Sequence, residues 1–183
     1  MRHSSDYYYN TRATWAYSGK SNISRPQQMT EDTKKKLVMV FGTFDYLHAG
    51  HENLFIQAKV LGTETLAIIA RDKTVRTIKG FAPDHNEKER LENLKATNWA
   101  NKVILGDNKD KTKVIRLFRP DIIALGYDQF AFTYSINKLL LDINLDAKIV
   151  RLKPYRPDMY KSSIIKKSLS LKKDFEVLKE ATV

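Results

Sequence analysis

Five short, nearly unbroken apolar runs alternate with stretches of helical spacing, and this alternation constrains the chain more than any other feature. The first run is Leu37-Val38-Met39-Val40-Phe41. A strand wetted on one face alternates apolar and polar residues, so five apolar residues in a row mark a strand covered on both faces. Residues 65–70, 102–105, 122–125 and 147–152 read the same way. Between them, residues 50–61 carry Leu54, Ala58 and Leu61 at helical spacing, with Gly62 as the stop. Residues 86–97 open on a capping Asn86 and turn Leu91 and Leu94 inward. Residues 111–118 end as a helix before Pro120, residues 133–144 make another, and a last helix begins near Ser162. Strands alternating with helices predict an α/β fold: right-handed crossovers and a five-stranded parallel sheet with helices on both faces. Ligands of such sheets bind beyond the carboxyl ends of the strands, so the polar residues just after each strand are the functional candidates.

The chain has 183 residues, enough for one sizeable core. Its apolar runs are too short to span a bilayer, and no apolar leader opens it. There is no cysteine, hence no disulfide framework or thiolate metal site, and the expected location is the reducing cytoplasm. A net charge of +11 suggests nucleic acid until it is located along the chain. Residues 1–36 carry seven Lys/Arg against three Asp/Glu, and residues 152–183 carry eight against four. The body between them is only mildly basic, which suits small anionic substrates. The basic ends read as solvated tails, so neither nucleic acid nor membrane is expected as a partner. Residues 1–36 lack any helical or strand period and read as a flexible extension, 37–170 as the domain, and 171–183 as a helical tail.

The strongest local signal lies between the first strand and the first helix: Gly42-Thr43-Phe44-Asp45-Tyr46-Leu47-His48-Ala49-Gly50-His51. Gly42 allows a phosphate close to the backbone. The helix that follows offers N–H groups and the positive end of its dipole. His48 and His51, three apart across the turn, can face one anion and stabilise charge growing on a transferring phosphorus. Gly126-Tyr127-Asp128-Gln129 follows the fourth strand, and Tyr160-Lys161-Ser162-Ser163 opens the last helix, where hydroxyls suit β- and γ-phosphates. The run from Arg71 to Gly80 holds four cations and reads as a loop that clamps phosphate at the active edge. Neither Gly-x-x-x-x-Gly-Lys-Ser/Thr nor Gly-x-Gly-x-x-Gly occurs, which argues against a P-loop kinase or a dinucleotide-binding dehydrogenase.

On these residues the chain resembles the cytidylyltransferase-like nucleotidyltransferases, over roughly residues 36–170. The resemblance implies a Rossmann-like nucleotidyltransferase fold and transfer of a nucleoside monophosphate from an NTP to a phosphate-bearing acceptor, with pyrophosphate released. It implies that His48, His51 and Lys79 act at the α-phosphate. Gly42, Thr43, Phe44, Gly50, Arg90, Gly126, Asp128, Lys161, Ser162 and Ser163 would then hold the nucleotide, and Asp45 and Tyr127 the acceptor. Mg²⁺ would come with the NTP, held by its phosphates and by water rather than by protein ligands. Small-molecule substrates and a homodimer are the expected partners. The chain has Lys-Ser-Ser-Ile where the family more commonly has Ile-Ser-Thr-Thr or Ile-Ser-Ser-Thr, which leaves open which of Ser162 and Ser163 binds phosphate.

FMN, glycerol 3-phosphate and phosphopantetheine are the candidate acceptors. The stretches 119–129 and 150–153, leading to Lys161-Ser162-Ser163, resemble the single-domain FAD synthases of archaea, which implies FMN and ATP as substrates. Phe81, Tyr127, Phe130 and Tyr155 are aromatics available to stack on a flavin. The alternatives are a glycerol-3-phosphate cytidylyltransferase and, in another class, an inactive nucleotide-binding or nucleic-acid-binding protein.

Overall fold

The computed structural model describes residues 35–180, without the side chains of 130–132 and 172–180. The expected extension, residues 1–36, lies outside the described residues except for its last two. Eleven elements follow in order among the described residues: β1 Leu37–Gly42, α1 Ala49–Leu61, β2 Glu64–Ile69, α2 Asp72–Lys79, α3 Glu87–Ala96, β3 Lys102–Leu105, α4 Lys113–Phe118, β4 Ile122–Leu125, α5 Phe130–Asp142, β5 Lys148–Arg151 and α6 Ser162–Glu180. All five expected strands form, and they pair in parallel in the order β3-β2-β1-β4-β5.

Strand side chains alternate between two faces, and here both faces are dry. Val38, Val40, Ala67, Ile69 and Val103 point to one side, where Phe55 and Ala58 of α1 and Leu94 of α3 cover them. Met39, Leu66, Ile68, Ile123 and Leu125 point to the other, under Val114 and Ile115 of α4 and Ile136, Leu139 and Leu140 of α5. This explains the nearly unbroken apolar runs: among the described residues the one polar strand residue that is fully buried, Thr65, has its hydroxyl bonded to Asn101.

The strand order reverses between β1 and β4. The chain steps from β1 outward through β2 to β3, then returns to pair β4 on the opposite side of β1. A crevice therefore opens beyond the carboxyl ends of β1 and β4, the switch point where ligands of open parallel sheets sit.

One expectation fails. Residues 72–79, taken as a loop, form a two-turn helix, α2, closed by Gly80 in the left-handed region at φ 79°. Its apolar face is only Val75 and Ile78, three apart in eight residues otherwise charged or polar, a run too short to show a helical repeat in the sequence. The helix changes the meaning of its charges. Arg71, Thr74, Val75, Ile78 and Lys79 line the cleft at spacings of three, four, seven and eight, while Lys73 and Arg76 are exposed and lie off it. The four-cation clamp thus reduces to two cations at the cleft.

Candidate active site

A cleft of about 1050 Å³ lies across the carboxyl ends of all five strands, just above the usual size of small-molecule sites and roomy enough for two substrates. His48, His51, Lys79, Asp128, Ser162 and Ser163 all line it. So do Gly42, Thr43, Phe44, Gly50, Gly126, Tyr127 and Lys161. The structure therefore brings together every sequence-predicted site residue except Asp45 and Arg90.

His48 is the N-cap of α1. Its Nδ1 accepts the His51 backbone N–H at 3.3 Å, so this nitrogen carries no proton and the neutral ring bears it on Nε2, free to donate. The two imidazoles stack with centroids 3.9 Å apart and planes 18° from parallel. Burial pushes the His48 pKa below the ordinary value. Burial, then the His48 ring and the Lys79 ammonium, push His51 down to about 3, against a raising contact from the Tyr46 backbone. That contact is loose, because the buried Nδ1 of His51 has no well-formed hydrogen bond among the described residues. Both rings are thus neutral at pH 7 and able to serve as hydrogen-bonding dipoles, and the standing positive charge of the cleft comes from its lysines and arginine, Lys79 among them.

The glycines and Phe44 explain the spacing of the motif. A Cβ on Gly50 would stand 2.9 Å from two atoms of the His48 ring and 3.2 Å from the Tyr160 carbonyl oxygen. Only glycine lets the imidazole fold over the first turn of α1. A Cβ on Gly42 would meet three atoms of the Phe44 ring at 2.5–2.9 Å. Gly42 therefore makes room for Phe44 first, and its role toward a phosphate comes second. Phe44 is buried with φ 52°, an unusual conformation for a bulky residue. Its ring meets His51 edge-on at 5.2 Å and packs on Phe55 at 5.5 Å, forming a wall behind the histidine.

Arg90 corrects the expectation of a phosphate contact. It is fully buried and does not line the cleft. Its guanidinium donates to the carbonyls of His85 (3.0 Å), Ala70 (2.8 Å) and Thr43, and to Asp72 Oδ1 at 2.7 Å. It fastens the segments after β1 and β2 to the start of α2. Asp45, expected at the acceptor, is likewise engaged elsewhere. Its carboxylate accepts the backbone N–H groups of Asp84 (2.9 Å) and His85 (3.0 Å) and contacts His85 Nδ1 at 2.9 Å. Burial alone would raise its pKa, but these hydrogen bonds outweigh burial and hold it below the usual value.

At the far side of the cleft Lys161 precedes α6, and its carbonyl accepts from Ile164 and Ile165. Its ammonium stands 5.8 Å from the centroid of the Tyr127 ring. The hydroxyls of Ser162 and Ser163 have no hydrogen-bond partner among the described residues, so both are available to an anion at this helix N-terminus. Of the candidate flavin-stacking aromatics, Tyr127 and Tyr155 line the cleft and Phe81 does not. The side chain of Phe130 lies outside the described residues.

Three features escaped the sequence reading. Tyr160 stacks near His48 at 6.4 Å and on Tyr155 at 5.8 Å, extending the histidine pair into a row of four rings. Arg151 donates to the Gly126 carbonyl at 2.9 Å and to Thr133 Oγ1 at 2.7 Å. Gln129 bridges the switch crevice: its Nε2 donates to the Phe41 carbonyl at 2.9 Å, and its Oε1 accepts the Gly126 N–H at 3.1 Å. The only signal for Gln129 was its place directly after Gly-Tyr-Asp.

The chain belongs to the cytidylyltransferase-like family, whose profile matches residues 39–168. It is 38% identical over 151 residues to the FAD synthase of Thermococcus sibiricus, covering 81% of this chain and 99% of that relative. It is 48% identical over 116 residues to the FAD synthase of Methanosarcina mazei, covering 63% and 75%. Among solved structures, a lipopolysaccharide core biosynthesis protein from Thermoplasma volcanium superposes with a TM-score of 0.62 at 35% identity, covering 66% of this chain and 98% of that one.

Proposed function

We propose that the protein is an FMN adenylyltransferase: a phosphate oxygen of FMN attacks the α-phosphorus of ATP, the bond to the β-phosphate oxygen breaks, and FAD and pyrophosphate leave. The observation that carries nucleotidyl transfer is the convergence of the neutral histidine pair, Lys79 and the N-terminus of α6 on one cleft. The acceptor reading is supported by the likeness to archaeal FAD synthases across nearly their whole length.

The residues divide the work by chemistry. The attacking group is already an anion, so no protein nucleophile or strong base is required. His48 and His51 stabilise charge spreading over the α-phosphate oxygens as hydrogen-bonding dipoles, and Lys79 adds the fixed charge. Lys161, Ser162 and Ser163 receive the departing pyrophosphate at the positive end of α6. Asp128 holds the nucleoside, and Tyr127 and Tyr155 present ring faces to planar groups. Among the described residues no cluster of three or more His, Asp or Glu is placed to hold a metal. Mg²⁺ comes with the substrate, bound to the triphosphate oxygens and to water.

The cytoplasm, where ATP and FMN are at hand, suits this chemistry and the cysteine-free chain. No described helix is long and apolar enough to cross a membrane. Tyr134 and Leu141, exposed one heptad apart on α5, support a homodimer, to be tested by light scattering.

Chromatography of products from FMN, ATP and Mg²⁺ tests the reaction. FAD and pyrophosphate are expected, with no product from riboflavin, which lacks the attacking phosphate. Robust CDP-glycerol from CTP and glycerol 3-phosphate without any FAD transfers the assignment to the cytidylyltransferase.

A further inference from the structure

Three separate segments supply the residues assigned above to phosphate chemistry: the turn holding His48 and His51, the end of α2 with Lys79, and the start of α6 with Ser162 and Ser163. Side chains close in sequence to two of these groups meet at one carboxylate, which itself follows the third. Tyr46, two residues before His48, donates its hydroxyl to Asp84 Oδ2 at 2.7 Å. Lys166, four residues after Ser162, pairs with Asp84 Oδ1. Asp84 itself lies five residues after Lys79, beyond the left-handed Gly80. The Lys166 ammonium also stands 5.6 Å from the centroid of the Phe81 ring in the same loop.

We propose that Asp84 is a positioning residue for nucleotidyl transfer, a latch that sets the start of α6 and Lys79 against the histidine turn. The position of α6 makes such a latch necessary. No described residue of α6 is buried, so core packing does not fix where its N-terminus points. The Asp84–Lys166 pair is the one ion pair that joins a described α6 side chain to the rest of the domain. Both groups are partly exposed, at 34% for Asp84 and 46% for Lys166, so the pair adds little to global stability. What it fixes is geometry: two oxygens of one carboxylate hold two partners from different segments, as its lowered pKa and the raised pKa of Tyr46, about 12, both register.

The inference rests on the nucleotidyltransferase reading but not on FMN as the acceptor, and its test separates the two. Binding of Mg·ATP is measured by calorimetry in wild type, Asp84→Ala, Lys166→Met and the double variant. Each single change is expected to weaken ATP binding about tenfold, the order of one lost ordering interaction, with melting temperature within a few degrees of wild type. The double variant is expected to be no weaker than the weaker single, because both changes open the same latch. With FMN as acceptor, KM for ATP should rise while KM for FMN holds, a split that general loosening of the fold does not produce. Asp84→Asn, which retains an acceptor for Tyr46 but loses the charge, serves if the alanine variant folds poorly and should fall between the two. Unchanged ATP affinity in the single variants, multiplicative losses in the double, or a wild type that binds no ATP each overturns the latch. A wild type that binds ATP but makes no FAD overturns the acceptor reading alone.

Discussion

Asp72 and Glu87 cap each other's helices. The Glu87 carboxylate accepts the Asp72 backbone N–H at 2.9 Å, and the Asp72 carboxylate accepts that of Glu87 at 3.2 Å. The N-termini of α2 and α3, each with unpaired N–H groups and a positive dipole end, thus meet around two carboxylates. Arg71 pairs with Glu87 at 2.8 Å and Arg90 with Asp72 at 2.7 Å, so neither charge stands alone. Because α2 ends in Lys79, this contact helps aim the ammonium. Glu87→Ala should destabilise by about 1–2 kcal/mol, the cost of a lost cap, and lower kcat as well. Thermal melting and steady-state turnover on one preparation check both.

Arg90 makes a sharper case. Replacing it with Met removes the donors to three carbonyls and leaves Asp72 without its buried partner. The expected cost is about 3–5 kcal/mol, a fall in melting temperature on the order of 10 °C. Well below that melting point, KM for ATP should remain near wild type, because Arg90 does not line the cleft. A large rise in KM in the still-folded variant would return Arg90 to the phosphates.

Gly50→Ala places a methyl group against the His48 ring and the Tyr160 carbonyl. Helix propensity favours alanine at this position, so global stability should change little or even rise slightly. Turnover should fall by about tenfold or more as the imidazole is pushed from its cap, since misplacement of about 1 Å carries losses up to 10²-fold. A large loss of kcat with melting temperature nearly unchanged is the signature to look for, since the lost His48 cap offsets the gain in helix propensity.

Direct removal of the ring in His51→Ala should lower kcat by about 10²-fold, roughly 2.7 kcal/mol of transition-state stabilisation. A correctly folded variant with near-normal turnover sinks the role given to the pair.

Acid should loosen the fold through the same residue. The His51 pKa is depressed from 6.5 to about 3, so between those values the unfolded chain binds a proton that the folded chain refuses. The stability is present above the unfolded pKa and is lost as pH falls through that window. Asp45, Asp84 and Asp107 have pKa values lowered from 3.8, so their own losses come at still lower pH. Between pH 7 and pH 5, melting temperature should therefore drop more steeply in wild type than in His51→Gln.

The sheet was legible because its strands are covered on both faces, which leaves an unmistakable mark in residues 37–41 and 122–125. The histidine motif was legible because its glycines and rings leave little freedom at fixed spacing. Helix α2 was not, since its eight residues put only Val75 and Ile78 on an apolar face, too few to repeat, among four cations that read as a loop. Arg90 and Asp45 were placed in the chemistry for a different reason. Arg90 was carried over from the family pattern, and a charged residue near a motif has the same letter whether it holds a phosphate or a backbone carbonyl; only burial and partner distances tell the two apart.

The bridge made by Gln129 has a consequence for how the site meets its ligands. One amide side chain, bonded at both ends, sets the gap between the carbonyl closing β1 and the amide following β4. The width of that gap is a bond-length dimension of the protein itself, present before any substrate arrives. Little chain ordering is then left for binding at this seam, and calorimetry should find a small entropic penalty there. Withdrawing that amide by one methylene, as in Gln129→Asn, should break the bridge, turn a rigid slot into an adaptable one and trade affinity for tolerance of ill-fitting nucleotides.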